Sequence, residues 1–494
     1  MTASLATLTV PLDAHLLNTL LAAQAGKLTV PTADPASHAG ELTAPTADPA
    51  AQAGETALFR RLVDFLRVDD VLCWSRRGDG LAGFGETARF TSRGPERFSE
   101  AEQWWKSVLA TAEVRDNVRL PGSGALAFGS FAFSKVSVYE SRLIIPRAVV
   151  GFRDSQAWLT QLTFDDAPLT AKGAHRELAR LLAAAGPQTA TVPNSFGDGT
   201  VVDGTRADTA GDSHDPAAAV LSTGSLSEQE WMDTVAQGVA AIEAGELEKV
   251  VLARDVVARF ASPVSRAGIL AALADKYSEC WTYGVDGLLG STPEILIKVD
   301  GTTAQARVLA GTLDRDGAPD GEEFARQVLA GSRKQRHEHD FAVRSLTRQL
   351  APFATDLSFP KEPFILELPN VWHLASDVKA ELADVDGHLP TPLALVEALH
   401  PTAAVCGTPR TEAGALIRRL EKLDRGPYAG PVGWLDGSGN GEWGIALRGA
   451  VLESHSSVRM YAGCGIVAAS DPAAELAETW AKFRPMLQAL GLRP

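Results

Sequence analysis

The feature that most constrains this chain is how closely its strand-like runs follow one another. From Lys249 onward KVVLARDVVARF, WTYGVDGLLG, EILIKVDG, GPVGWLD, GEWGIALRGAVL and SSVRMYAGCGI are rich in β-branched and aromatic residues, and several are separated by no more than a turn. Strands joined by tight turns pair antiparallel, because a parallel pair needs a long crossover. Helical segments are inserted between these runs. Ser227 and Glu230 form a capping box before Trp231, Val235, Val239 and Ile242, which recur at helical spacing. The expected class is therefore α+β, with a large, mainly antiparallel sheet.

The chain divides by composition. Residues 1–55 hold a 14-residue near-duplicate, LTVPTADPASHAGE followed by LTAPTADPAAQAGE, and read as a flexible Pro/Ala-rich segment. Residues 56–193 read as the first half of the sheet domain, 194–224 as a Gly/Asp-rich linker, and 225–494 as the longer region in which regular structure resumes.

Charge narrows the partners. With 46 Lys plus Arg against 61 Asp plus Glu, the net charge of −15 argues against nucleic acid and anionic membranes, each of which needs a basic face. An anionic small substrate remains compatible, since a bound cation can invert the field within one pocket. Cys73, Cys280, Cys406 and Cys464 show no short spacing, so disulfides and structural zinc are not expected and a reducing cytoplasm is. No stretch reaches transmembrane length, and the start lacks the pattern of a signal peptide. The oligomeric expectation is a monomer or weak homo-oligomer.

Four separated clusters offer chemistry. Lys249 opens an apolar strand, where it either snorkels to water or faces a polar cavity as a base of lowered pKa. Glu294 enters another apolar strand after a Pro turn; buried, it would be a raised-pKa acid suited to protonating a leaving group. Glu338 lies in the helical run SRKQRHEHDFAVRSL, where His337 and His339, two apart, point to different sides and so do not form a zinc site. Glu475, Glu478 and Lys482 share one face of the last helix, and carboxylates from two helices would suit Mg²⁺.

The order of these clusters carries more than any one of them. KVVLAR (249–254), STPE ending at Glu294, LAGT (309–312), HEH (337–339), VWHL (371–374), LHPTAAVCGTP (399–409), DRGPYAGPVGW (424–434), GNGEW (439–443), AGCGIV (462–467) and the terminal ETWAK resemble the chorismate-utilising enzymes. The resemblance covers about 225–494 and extends weakly upstream through about 80–165. It implies a sheet folded into two α/β subdomains with helices outside and the active site in the cleft between them. It implies Lys249 as general base, Glu294 as general acid, and Glu338 and Glu478 as Mg²⁺ ligands with Glu475 in the outer shell. Arg448, Tyr428, Lys482 and Gly463 match contacts to substrate carboxylates; His373, Gly311 and Thr312 match pocket walls.

Within that family Lys249 favours water as the nucleophile, where ammonia-using members carry glutamine. Ala310 stands where a covalent lysine would be needed. Ala404 stands where salicylate-forming members tend to carry threonine, whereas Tyr428 is often found in those members. The implied activity is the Mg²⁺-dependent, reversible conversion of chorismate to isochorismate, which would feed menaquinone or a siderophore. The alternatives are salicylate synthesis by further pyruvate elimination and a non-catalytic chorismate-binding subunit.

Overall fold

The computed structural model describes residues 4–12, 61–66, 68–184, 219–315, 322–384 and 387–492. The duplicated segment and residues 194–218 of the expected linker lie outside them.

Two sheets, of 13 and 10 strands among the described residues, organise the chain. Their ladders are antiparallel throughout, except where Ala6–Pro11 runs parallel to Glu113–Asp116. Every strand-like run read from the sequence beyond Lys249 is a strand, and Lys249–Phe260 opens at its lysine. That strand is buried almost end to end, as its unbroken apolar run requires, and pairs over ten positions with Ser457–Ile466. The helix Glu228–Glu243 begins with the expected capping box, Ser227 accepting from the Glu230 amide and Glu230 accepting from that of Ser227.

The two sheets are one body because the chain passes directly between them. Leu288–Thr292 belongs to the first sheet and Ile295–Asp300 to the second, with only Pro293 and Glu294 between them. Gly441–Ile445 of the second sheet leads through residues 446–448 into Gly449–Ser454 of the first. Of the chain's direct crossings, these two lie side by side: the Ile445 amide donates to the Glu294 carbonyl at 3.2 Å, and the Ser291 amide to that of Arg448 at 3.3 Å. Gly290 faces Gly449 in the ladder, and a Cβ added at Gly290 would stand 2.6 Å from the Gly449 Cα, so the backbones meet too closely for side chains. The largest apolar cluster draws on both sheets, with Trp74 and Leu252 from the first and Phe128, Trp434 and Trp443 from the second.

Two stretches depart from the sequence reading. Ala6–Pro11, inside the segment expected to be flexible, is a buried strand paired with Gln156–Thr163. Its threonines hide the signal: Thr7 and Thr9 are fully buried, so no polar face alternates with the apolar one. Ala219–Thr223, expected to be linker, pairs with the far end of Lys249–Phe260.

A buried ion pair ties the loop before the C-terminal strands to the centre of the first sheet. Arg425 donates from Nε to Glu421 at 2.9 Å, from Nη1 to the Val405 carbonyl at 2.8 Å and from Nη2 to the Val251 carbonyl at 2.7 Å. Glu421 also accepts from the Ala253 amide at 2.8 Å. Removing one partner strands the other charge in the interior, at a cost of ~3–5 kcal/mol. Glu421→Ala should therefore lower the denaturant midpoint strongly, and Glu421→Leu with Arg425→Met should recover much of it. Equilibrium denaturation of both variants is the check.

Candidate active site

Both crossings open onto one cavity of about 150 Å³. From the first sheet it takes Lys249, Val251, Tyr461, Gly463 and Gly465; from the second it takes Leu309, Gly311 and His373. Glu294 and Arg448 enter from the crossings themselves, and Glu475, Glu478 and Lys482 from the helix Pro472–Ala489. Ala404 and Tyr428 complete the wall. The cavity thus collects the expected residues whose side chains are described. Those of Thr312 and Glu338 lie outside the description; Thr312 pairs with His373 in the ladder, and Glu338 falls within the helix Arg333–Leu350. His339 of that helix points into the core, its Nε2 bonded to Ser376 Oγ at 2.8 Å.

Each charge in this cavity is resolved differently. Glu294 is 5% exposed, and its carboxyl receives no hydrogen bond from a described residue. Burial pushes it up to about 8, against the opposing pull of Lys249 and Lys482. Glu478 is half-buried; burial alone would raise it, but the Lys482 ammonium at 2.6 Å holds it below the usual carboxylate range. Burial alone would lower Lys482; the Glu478 carboxylate outweighs it and keeps the ammonium charged. Lys482 also donates to the Gly463 carbonyl at 2.7 Å. One cavity therefore holds one carboxyl in its acid form and another in its ionised form.

Arg448 sits in left-handed backbone (φ +50°), a bend imposed by the crossing, and its guanidinium donates to His373 Nε2 at 3.2 Å. His373 Nδ1 lies 3.1 Å from the Gly311 carbonyl, so it carries the ring proton and donates. Burial first and Arg448 second push His373 down to about 3, and the imidazole stays neutral. The pair thus presents one cation in a fixed position, suited to a carboxylate.

Glycines shape the floor. A Cβ at Gly465 would lie 2.7 Å from Lys249 Cε, and one at Gly463 would press on the Leu252 carbonyl at 2.8 Å and Tyr428 Oη at 3.3 Å. Tyr428 stacks on Tyr461 at 5.1 Å between ring centroids. Gly311 has φ +82°, and Gln335 Oε1 stands 2.6 Å from where its Cβ would be. Gln335 and Arg425 both line the cavity and were missed in the sequence, where Gln335 is one polar residue among many in SRKQRHEH and Arg425 one of two cations in EKLDRG.

The donor set suits a hard cation. Ligand atoms of Cys464, Glu475 and Glu478 lie within 4.8 Å of one another. Burial holds the Cys464 thiol well above its ordinary pKa, which leaves carboxylate oxygens as the anionic donors.

A raised acid pKa has a stability consequence. The unfolded chain loses the Glu294 proton near 4.5 and the folded chain near 8, so the folded state holds more protons between these values. The stabilisation is complete below about 4.5 and is lost as pH rises toward about 8. Glu294→Gln, neutral throughout, should gain stability relative to the parent across that window. Thermal unfolding of both proteins over the range measures it; a constant difference would contradict the assignment.

The sequence profile described as chorismate binding enzyme matches residues 58–491. Isochorismate synthase DhbC of Bacillus subtilis (strain 168) is 38% identical over 275 residues, 53% of this chain and 68% of that protein. Isochorismate synthase MenF of the same organism is 31% identical over 278 residues, 56% of this chain and 58% of that protein. Among solved structures, MenF, the menaquinone-specific isochorismate synthase from Escherichia coli, matches with a TM-score of 0.68 at 23% identity, covering 99% of this chain and 95% of that one. Anthranilate synthase component I from Streptococcus pneumoniae matches at 0.60 and 17% identity, over 82% and 91%. These last two likenesses show the fold, and with the profile spanning both halves of the molecule, this chain belongs to the chorismate binding enzyme family.

Proposed function

We propose that the chain is an isochorismate synthase, adding water at ring carbon 2 of chorismate while the hydroxyl at carbon 4 departs. The observation that carries this reading is the Glu294 carboxyl, held up at about 8 by burial in the same cavity as Lys249. An acid that keeps its proton at neutral pH can give it to a leaving hydroxyl. Lys249, on the wall of the same cavity, takes a proton from the attacking water. The new carbon–oxygen bond forms at carbon 2, the ring electrons shift, and the old bond at carbon 4 breaks to release water carrying the Glu294 proton. Arg448, fixed by His373, and Lys482, fixed by Glu478, are suited to hold the substrate carboxylates.

Glu478, with Glu475 beside it, would hold Mg²⁺, joined by Glu338 of the helix Arg333–Leu350. The ion supplies charge neutralisation for a ring carboxylate. Ala404 leaves a small apolar wall, which favours stopping at isochorismate. Four cysteines, all buried and free, suit a reducing cytoplasm, and no helix among the described residues is long and apolar enough to cross a membrane.

Purified protein given chorismate and Mg²⁺ should yield isochorismate at equilibrium with chorismate, and EDTA should abolish turnover. Stoichiometric pyruvate would make it a salicylate synthase instead. Lys249→Ala and Glu294→Gln should each lower kcat by ~10²–10⁴-fold with chorismate binding retained. Steady-state kinetics with a direct binding titration decide this. A Lys249→Ala enzyme of near-parent kcat would remove the general-base role.

A further inference from the structure

The catalytic cavity owes one of its cations, Arg448, to a bend, and a side chain outside the cavity holds that bend. Tyr283, Gly290 and Gly449 face one another across the neighbouring strands Trp281–Val285, Leu288–Thr292 and Gly449–Ser454. With no side chain at either glycine, the Tyr283 ring lies across both. A Cβ at Gly290 would stand 2.6 Å from Tyr283 Cζ and one at Gly449 3.2 Å from it, and either would fall on the hydroxyl. Tyr283 is fully buried and stands behind the cavity wall rather than in it.

The reach of this ring ends on the main chain of the crossing at 446–448. Tyr283 Oη donates to the Leu447 carbonyl at 2.9 Å. That carbonyl belongs to the same planar peptide unit as the Arg448 amide. The bond therefore fixes the plane from which Arg448 turns into left-handed backbone, a conformation that side-chain-bearing residues rarely adopt. The carbonyls on either side are held by main-chain amides, that of Ala446 by Ala429 at 2.9 Å and that of Arg448 by Ser291 at 3.3 Å. Burial keeps the Tyr283 phenol well above its ordinary pKa, so its hydroxyl is a donor throughout the neutral range.

Arg448 is thus held at both ends. His373, from the second sheet, takes a guanidinium nitrogen at 3.2 Å, and Tyr283, from the first, sets the peptide from which the side chain springs. Any buried tyrosine needs a partner for its hydroxyl. Here the partner is one residue from the cation, and Leu447 itself lines the cavity.

We infer that Tyr283 is a positioning residue for substrate binding, its hydroxyl aiming the Arg448 guanidinium at a substrate carboxylate through the Leu447–Arg448 peptide. The inference rests on the isochorismate synthase reading, which puts a carboxylate of chorismate on Arg448. A phenylalanine ring would cover the two glycines equally well, so the hydroxyl is not needed for packing. Lys249 and Glu294 are carried on other segments, so losing the hydroxyl falls on binding rather than on proton transfer.

Tyr283→Phe keeps the ring and removes the hydroxyl. In steady-state kinetics its KM for chorismate should rise about five- to tenfold, with kcat within about twofold of the parent. A double-mutant cycle then separates aim from general support. It is measured by titrating chorismate, with Mg²⁺ present, into the Lys249→Ala protein, which binds without turnover. Tyr283→Phe should weaken binding about five- to tenfold there, and less than about twofold once Arg448→Gln is also present. An equal loss in both backgrounds would make the hydroxyl a general support of the fold and overturn the inference, as would no loss in either. If Arg448→Gln alone left chorismate binding undiminished, the reading that puts a carboxylate on Arg448 would fail, and the inference with it.

Discussion

Everything at the catalytic centre follows from one constraint: charged groups removed from water must be paired, or must give up their charge. In the cavity between the two sheets, burial and the nearest partner together set the state of each group. Glu478 finds Lys482 and stays ionised; Arg448 finds neutral His373 and keeps one face for a ligand. Glu294 receives no hydrogen bond from a described neighbour and keeps its proton. A proton donor, a carboxylate–ammonium pair and a fixed guanidinium therefore share one small space.

That space exists because the chain changes sheet twice at the same place. Had the turn at Pro293–Glu294 or the bend at Arg448 been ordinary hairpin loops, both side chains would stand at a solvated edge. Instead the two crossings brace each other through main-chain bonds, and the glycines at 290 and 449 let the backbones close up. The Arg425–Glu421 pair supports the arrangement from behind, by fixing the Lys249 strand and the Val405 segment to one side chain.

Local signals in the sequence were sufficient for much of this. β-branched runs marked the strands of both sheets, and Ser227 with Glu230 marked a helix start, because each depends on residues a few positions apart. The site residues were legible through the order of their motifs, which the family likeness supplied. The partnership of Arg448 with His373, by contrast, spans 75 positions and leaves no local trace. Ala6–Pro11 went unread because both of its faces are buried, which erases the alternation that marks a half-exposed strand. Arg425 and Gln335 went unread because a charged or polar residue in a polar run looks solvated until the fold covers it.

The central claim is that Glu294 is protonated at neutral pH while Glu478, in the same cavity, is not. Difference infrared spectroscopy of the parent protein against Glu294→Gln, followed from pH ~5 to ~9, isolates the Glu294 carboxyl stretch from all others. A protonated carbonyl band that persists at neutral pH and disappears at about 8 is the predicted result. A band already lost near the ordinary glutamate value, with a carboxylate signal in its place, would contradict the account.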